Sequence, residues 1–218
     1  MQRGKAVGRF SGIAPGFSPD TATSAGVDYN PSMAVADLSP VLILPGLYDS
    51  SPQHWQTLWM AGRPGFRRVE QADWERPRCA DWVARLDAAV QEAGPRALLV
   101  AHSAACALVA HWAAVRGGNV RGALLVGPSD TEAPSYPAGP TGFAPMPLVR
   151  LPFPSTVVAS ADDPYVSLDR AETFARSWGS RFVNIGQAGH INTASGLGDW
   201  PRGLELLQEL ADRGSDGS

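Results

Sequence analysis

From residue 40 onward, apolar and polar positions alternate between two kinds of stretch. Short apolar runs occur at Val41-Leu-Ile-Leu44, Ala97-Leu-Leu-Val-Ala101, Ala123-Leu-Leu-Val126 and Thr156-Val-Val-Ala159, with more mixed runs at 66–70 and 181–185. Runs of this length without polar interruption are expected of strands covered on both faces. Between them lie stretches with helical spacing, about 52–61, 79–92, 103–116, 167–178 and 200–212. In the second of these, Trp82, Val83, Leu86 and Val90 share one face, and Gly94-Pro95 supplies the stop. Strand and helix in strict alternation predict a doubly wound, mostly parallel sheet of about six strands in a three-layer α/β/α arrangement. No internal repeat of fixed period is visible.

Two regions break the rhythm. Residues 127–154 carry Pro128, Pro134, Pro137, Pro140, Pro145, Pro147, Pro152 and Pro154, together with Gly127, Gly139 and Gly142. A loop that long inside one domain is expected to be functional or disordered, and in a parallel sheet it leaves from the carboxyl ends of the strands, where ligands bind. Residues 1–38 show no period, are rich in Gly, Pro, Ser, Thr and Ala, and lack the apolar segment of a signal peptide. They are expected to be a disordered extension, with Met33 an alternative start, followed by one folded domain over 39–213 and a flexible tail over 214–218.

Composition narrows the function classes. The 218 residues are 44% hydrophobic and 18% charged, with a formal net charge of −3 and no long run of one sign. Neither a nucleic-acid surface nor an anionic-membrane surface is expected, and no apolar run is long enough to cross a membrane. The two cysteines, Cys79 and Cys106, have no metal-ligand spacing; they read as free thiols in a reducing cytoplasm, with a single disulfide between them as the alternative.

The chemistry concentrates at strand ends. Leu98-Leu-Val-Ala-His-Ser-Ala-Ala-Cys-Ala107 runs a buried strand into Ser103 and straight into a helix, the context of a nucleophile elbow. The elbow needs small residues two before and two after the serine. Here they are Ala101 and Ala105, where glycine is usual, and a serine that merely caps the helix would look much the same. An attacking serine needs a base, and the base needs an orienting carboxylate. Thr156-Val-Val-Ala-Ser-Ala-Asp-Asp-Pro164 ends a strand in two aspartates, and Arg181-Phe-Val-Asn-Ile-Gly-Gln-Ala-Gly-His190 ends one in a Gly-His turn. The order serine, acid, histidine therefore assigns Ser103 as nucleophile, His190 as base and one of the two aspartates as acid. Asp163, before Pro164 and three residues before Val166, resembles the D-x-x-V spacing of the acid loop in hydrolases with such an elbow and is taken as the acid. Asp162 is the rival acid or, alternatively, a turn residue.

Of the other histidines, His102 is expected behind the nucleophile, His111 in a structural role, and His54 on the helix after the first loop, with a place in the site only as the alternative to packing. The backbone N–H groups of Leu47, after Pro45-Gly46, and of Ala104 are the expected oxyanion donors. Trp55, Phe143 and Tyr165 are candidate pocket walls, with ordinary core packing the alternative for each. No metal or organic cofactor is needed for this chemistry, and the expected partner is a small-molecule acyl substrate. Oligomeric state is not legible.

The segment Leu44-Pro-Gly-Leu-Tyr-Asp-Ser-Ser-Pro-Gln-His-Trp-Gln-Thr-Leu-Trp59, the His102-Ser103 elbow, Ser160-Ala-Asp-Asp-Pro164 and Gly189-His-Ile-Asn192 together resemble the YdeN-like serine hydrolases. That family also contains the retinoblastoma-binding-protein type of small hydrolase. The resemblance spans about residues 40–212. It implies an α/β-hydrolase fold without a cap domain and a Ser-Asp-His triad at the positions named, acting as a carboxylesterase-type acyl hydrolase through an acyl-enzyme. An idle hydrolase scaffold that only binds, or a hydrolase of amides or thioesters, are the alternatives. The L-x-C-x-E segment tied to retinoblastoma binding is missing around both cysteines, so that partner does not carry over.

Overall fold

In a computed structural model, residue 38 and residues 40–215 are described. The expectations for residues 1–37, Met33 included, lie outside the described residues.

The strands are β1 (Val41–Leu44), β2 (Phe66–Arg68), β3 (Leu98–His102), β4 (Gly122–Val126), β5 (Ser155–Ala159) and β6 (Arg181–Asn184). They form one six-stranded sheet in the order β2-β1-β3-β4-β5-β6, and every neighbouring pair is parallel. The helices are α1 (Trp55–Gly62), α2 (Cys79–Ala93), α3 (Ala104–Arg116), α4 (Leu168–Trp178) and α5 (Pro201–Ser215).

The pleat sends alternate side chains of each strand to opposite faces. Leu42, Leu44, Leu99, Ala101, Ala123, Leu125, Val157 and Ala159 pack with α2, α3 and α4. Val41, Ile43, Leu98, Val100, Leu124, Val126 and Val158 pack with α1 and α5. Both faces are therefore covered, which is why the central strands read as unbroken apolar runs rather than alternating ones. The predicted stripe Trp82, Val83, Leu86 and Val90 on α2 is buried, and the helix stops at Gly94 with φ 83°. Gly117 and Gly179 close α3 and α4 in the left-handed region, at φ 74° and 69°.

The chain runs from β1 outward to β2, then returns across β1 to β3. At that reversal the loops after β1 and β3 diverge and leave a crevice at the carboxyl ends of the strands. Gln56, fully buried on α1, holds this corner together. Its amide donates to the carbonyls of Leu44 and Val100, both at 3.1 Å, and its oxygen accepts from Ser50 Oγ at 2.7 Å.

Three boundaries differ from the sequence reading. Leu38 is buried within the α1/α5 core, so the folded part starts before residue 39. α1 opens at Trp55, because the His54 side chain accepts the Gln56 N–H and caps it there. α5 continues through Ser215, into the stretch expected as a flexible tail. Its last turn is tied down by Arg213, which donates to Thr156 Oγ1 on β5 at 2.7 Å. No cap domain interrupts the described residues, and none of their helices is long and apolar enough to cross a membrane.

Candidate active site

Ser103 stands between β3 and α3 at φ 61° and ψ −126°. That conformation is rare for a residue with a Cβ and costs on the order of 1–3 kcal/mol, so the surroundings must hold it. Ser103 N–H donates to Val126 O at 2.9 Å, and Ala101, Ala104 and Ala105 are fully buried around it. Alanine therefore meets the steric demand of the elbow at both positions where glycine is usual. Cys106 lies beneath, with Sγ facing the carbonyls of Ala101 and Val126, and burial pushes its thiol far above the ordinary range. It is an apolar filler rather than a reactive thiol. Gly46, on the loop after β1, is needed for close approach. A Cβ there would stand 2.7 Å from Ser103 Cβ and 3.0 Å from His102 O.

His190 follows β6, between Gly189 at φ 53° and Ile191 at φ 50°. Its Nε2 is 2.9 Å from Ser103 Oγ, and its Nδ1 is 2.9 Å from both oxygens of Asp163, whose side chain is fully buried. A carboxylate only accepts, so Nδ1 carries the proton and Nε2 is left as the acceptor for the Ser103 hydroxyl. Asp163 is anchored in turn by the Tyr165 N–H at 2.9 Å.

Asp162 points elsewhere. Its Oδ1 accepts from Ser160 Oγ at 2.7 Å and from Gly189 N–H at 2.8 Å. The Ser160 hydroxyl and the Gly189 amide hold its carboxyl below the usual range. Asp162 therefore laces the β5 loop to the histidine loop, while Asp163 faces the imidazole.

Two further histidines stack behind His190. Ring centroids of His102 and His190 are 4.9 Å apart, as are those of His54 and His102. His102 Nε2 lies 2.9 Å from His190 O, a carbonyl that only accepts, so it donates and fixes the peptide of His190. Burial and the neighbouring histidines push its pKa well below the ordinary value. His54 is lowered to about 4, by burial first and by His190 second. Both are too weakly basic to hold a proton at pH 7, and it is His190 whose Nε2 lies within reach of Ser103 Oγ, placed to accept its proton. His111 Nε2 donates to Phe143 O at 2.9 Å, a structural bond.

A cavity of about 540 Å³ opens over Ser103 and His190. Leu47, Tyr48, Asp49, Ser51, His54, Ser129, Tyr136, Tyr165, Asn192 and Thr193 are among its walls. Tyr48 and Asp49 both adopt positive φ, 65° and 62°. The Tyr48 N–H donates to Trp74 O at 2.8 Å and Asp49 pairs with Arg68 at 2.5 Å, which hold the loop in that shape. Leu47 thus lies on the cavity wall, and Ala104 opens α3, where a helix's first amides have no partner within it.

Of the three aromatic walls expected, only Tyr165 lines the cavity, its ring centroid 4.5 Å from that of His190. Trp55 is buried in the α1/α5 core against Trp59 and Trp200, and its Nε1–H donates to Ile191 O at 2.8 Å. It supports the histidine loop from below. Phe143 folds inward onto Trp82, because its carbonyl is held by His111 and Thr131. Ser129 was not anticipated. It is buried, lies just past β4 at the start of the proline-rich loop, and places its Oγ 2.9 Å from Ser103 Oγ. Among the described residues, no cluster of three His, Cys, Asp or Glu is placed to hold a metal ion.

A sequence model described as "serine hydrolase" matches residues 41–209. The chain belongs to the serine hydrolase family. This serine hydrolase is similar in structure to a protein from Pectobacterium atrosepticum described as a YdeN-like hydrolase, at 28% identity and a TM-score of 0.72, covering 83% of this chain and 94% of that one. It is also similar to the ydeN gene product of B. subtilis, at 19% identity and a TM-score of 0.60 over 80% and 99% of the two chains. A monoacylglycerol lipase from Paleococcus ferrophilus shares the fold at 12% identity and a TM-score of 0.58, over 82% and 94%. No curated protein matches the chain in sequence. The family membership and the YdeN-like neighbours agree with the resemblance seen in the sequence, and the α/β-hydrolase fold follows with them.

Proposed function

We propose that this serine hydrolase cleaves small acyl esters through an acyl-enzyme on Ser103, with His190 as general base and Asp163 as the carboxylate that fixes its tautomer. The observation that carries the reading is the unbroken hydrogen-bonded line from Ser103 Oγ through His190 to the buried Asp163, at the floor of an open cavity. As Ser103 Oγ attacks the carbonyl carbon, its proton passes to His190 Nε2 and the carbonyl π pair moves onto oxygen. The N–H groups of Leu47 and Ala104 receive that oxyanion. Collapse expels the alcohol with the proton from His190. Water then repeats the sequence on the acyl-enzyme and releases the acid. Each step uses groups of this chain alone, and no cofactor takes part.

An ester rather than an amide is favoured by the likeness in fold to a lipase. A small acyl group is favoured by the absence of a cap among the described residues. The two free cysteines, both buried, suit a cytoplasmic setting. Steady-state hydrolysis of p-nitrophenyl acetate, butyrate and decanoate, beside the matched anilide and thioester, tests the reading. The short esters are expected to turn over fastest. Faster decanoate would contradict the small acyl site, faster anilide or thioester would move the bond assignment, and no turnover of any would leave a binding scaffold.

A further inference from the structure

Ser103 Oγ has two partners at the same distance, His190 Nε2 and Ser129 Oγ, each at 2.9 Å. The direction of both bonds follows from the tautomer. With the imidazole proton on Nδ1 facing Asp163, Nε2 only accepts, so the single hydrogen of the Ser103 hydroxyl goes to His190. Ser103 has no hydrogen left for Ser129. The Ser129 hydroxyl must therefore be the donor, and its target is the nucleophilic oxygen itself.

The position of Ser129 is built rather than incidental. It is 4% exposed and follows β4 by three residues. The loop beyond it is clamped at Asp130, whose N–H donates to Tyr165 O at 3.0 Å and whose carboxylate takes a fork from Arg170 at 3.2 and 3.3 Å. Thr131 Oγ1 donates to Phe143 O at 3.0 Å. Three successive residues of the loop are thus held, and Ser129 is the one aimed at Ser103.

We infer that Ser129 is a further catalytic residue, a hydroxyl donor that stabilises negative charge on Ser103 Oγ as it forms a bond to the acyl carbon and again as it leaves. The inference rests on Ser103 being the nucleophile. In acylation the Ser103 proton goes to His190, charge grows on Oγ until the C–O bond is made, and the oxygen then becomes a weak ester-type acceptor. In deacylation the bond between Oγ and the acyl carbon breaks, the electron pair returns to Oγ, and the proton comes back from His190. The proton of Ser129 stays on Ser129 throughout. A hydrogen bond to a charged oxygen is stronger than one to a neutral hydroxyl or ester oxygen, so the donor favours both transition states over the states on either side. The Leu47 and Ala104 amides face a different atom, the former carbonyl oxygen, so the roles do not overlap.

The test compares wild type with Ser129→Ala, Ser129→Thr and Ser129→Val, with Ser103→Ala as the blank. Each is assayed for p-nitrophenyl acetate hydrolysis, for the rate of labelling by a fluorophosphonate, and for thermal midpoint. The alanine and valine variants are expected to lose roughly 10- to 30-fold in kcat and in kcat/KM together, with KM little changed, because the bond lost is one made most strongly in the transition states. Labelling slows by a similar factor. Threonine, which matches valine in shape and restores the hydroxyl, is expected to recover to within about threefold of wild type. A Ser129→Ala enzyme within threefold of wild type in both assays overturns the proposal. So does a threonine variant as slow as valine, which would make the effect one of packing. A wild type that takes no label at all removes the nucleophile assignment itself, an outcome distinct from a labelled wild type indifferent to Ser129.

Discussion

Gly46 is the position where adding one methyl group tests the geometry of the elbow most sharply. Its Cβ would stand 2.7 Å from Ser103 Cβ, 3.0 Å from His102 O and 3.2 Å from Ser103 Oγ, where ordinary contact begins at 3.4 Å. Relieving the worst of these needs about 0.7 Å, the difference between 3.4 and 2.7 Å. The two nearest atoms are a side-chain Cβ, one bond from the backbone, and a backbone oxygen, so no rotamer change makes room. Either the β1 loop retreats and takes Leu47 with it, or Ser103 moves off its 2.9 Å bond to His190 and toward about 3.6 Å, beyond a useful hydrogen bond. Overpacking of this kind costs about 1–3 kcal/mol of stability. For a domain of this size that lowers the thermal midpoint by roughly 2–12 °C. Displacing a reacting atom by nearly 1 Å costs on the order of 100-fold in rate. Gly46→Ala is therefore expected to stay folded at 20 °C and to lose about 100-fold in kcat/KM for p-nitrophenyl acetate. Gly62→Ala, at the end of α1 with nothing within 4 Å of the added carbon, is the matched control and should keep full activity. A Gly46→Ala enzyme as fast as that control would refute the claim that the β1 loop and the elbow meet at van der Waals contact.

Other consequences follow from the acid pair and the histidine stack. Asp163→Asn presents an amide to His190 Nδ1 and favours the tautomer whose Nε2 cannot accept. Its kcat is expected to fall about 10³–10⁴-fold with the thermal midpoint nearly kept. Asp162→Asn retains an oxygen for Gly189 N–H and should lose less than about tenfold, and the reverse ranking in kcat would exchange their roles. His54, with a pKa of about 4 against 6.5 when unfolded, stays neutral in the fold while the unfolded chain takes up a proton. Its contribution holds above pH 6.5 and is lost as pH falls toward 4, by about 2 kcal/mol between pH 7 and pH 5. Urea unfolding at those two pH values should show at least that loss in wild type, because His102 is lowered as well, and a loss about 2 kcal/mol smaller in His54→Asn, which retains a capping side chain; equal losses would contradict it.

How much of this was readable beforehand depended on whether one residue or a relationship decided the matter. The strands were legible because covering on both faces makes Leu98 to Ala101 and Ala123 to Val126 apolar without a break. The meeting of Ser103 and His190 was legible because each follows a strand, and a parallel sheet brings the loops after its strands to one edge. Asp162 and Asp163 are adjacent and chemically alike. Only their directions, one carboxylate toward Gly189 N–H and one toward His190 Nδ1, separate them. Trp55 and Phe143 were placed in the cavity because both flank loops near the site. Instead, Trp55 packs in the core against Trp59 and Trp200, and Phe143 packs on Trp82. Ser129 gave no local signal, since a serine just after a strand looks like any turn residue. Gly46 looked like a turn glycine, and its closeness to Ser103 exists only once β1 and β3 are paired.

The central claim is that Ser103 is the nucleophile. Fluorophosphonate labelling of the native chain, with the modified peptide located by mass spectrometry and Ser103→Ala run in parallel, addresses it most directly. One phosphonyl group on Ser103, its loss in Ser103→Ala, and a slower rate in His190→Ala are the predicted results. A label on Ser129 or any other serine, or equal labelling of Ser103→Ala, would contradict the account.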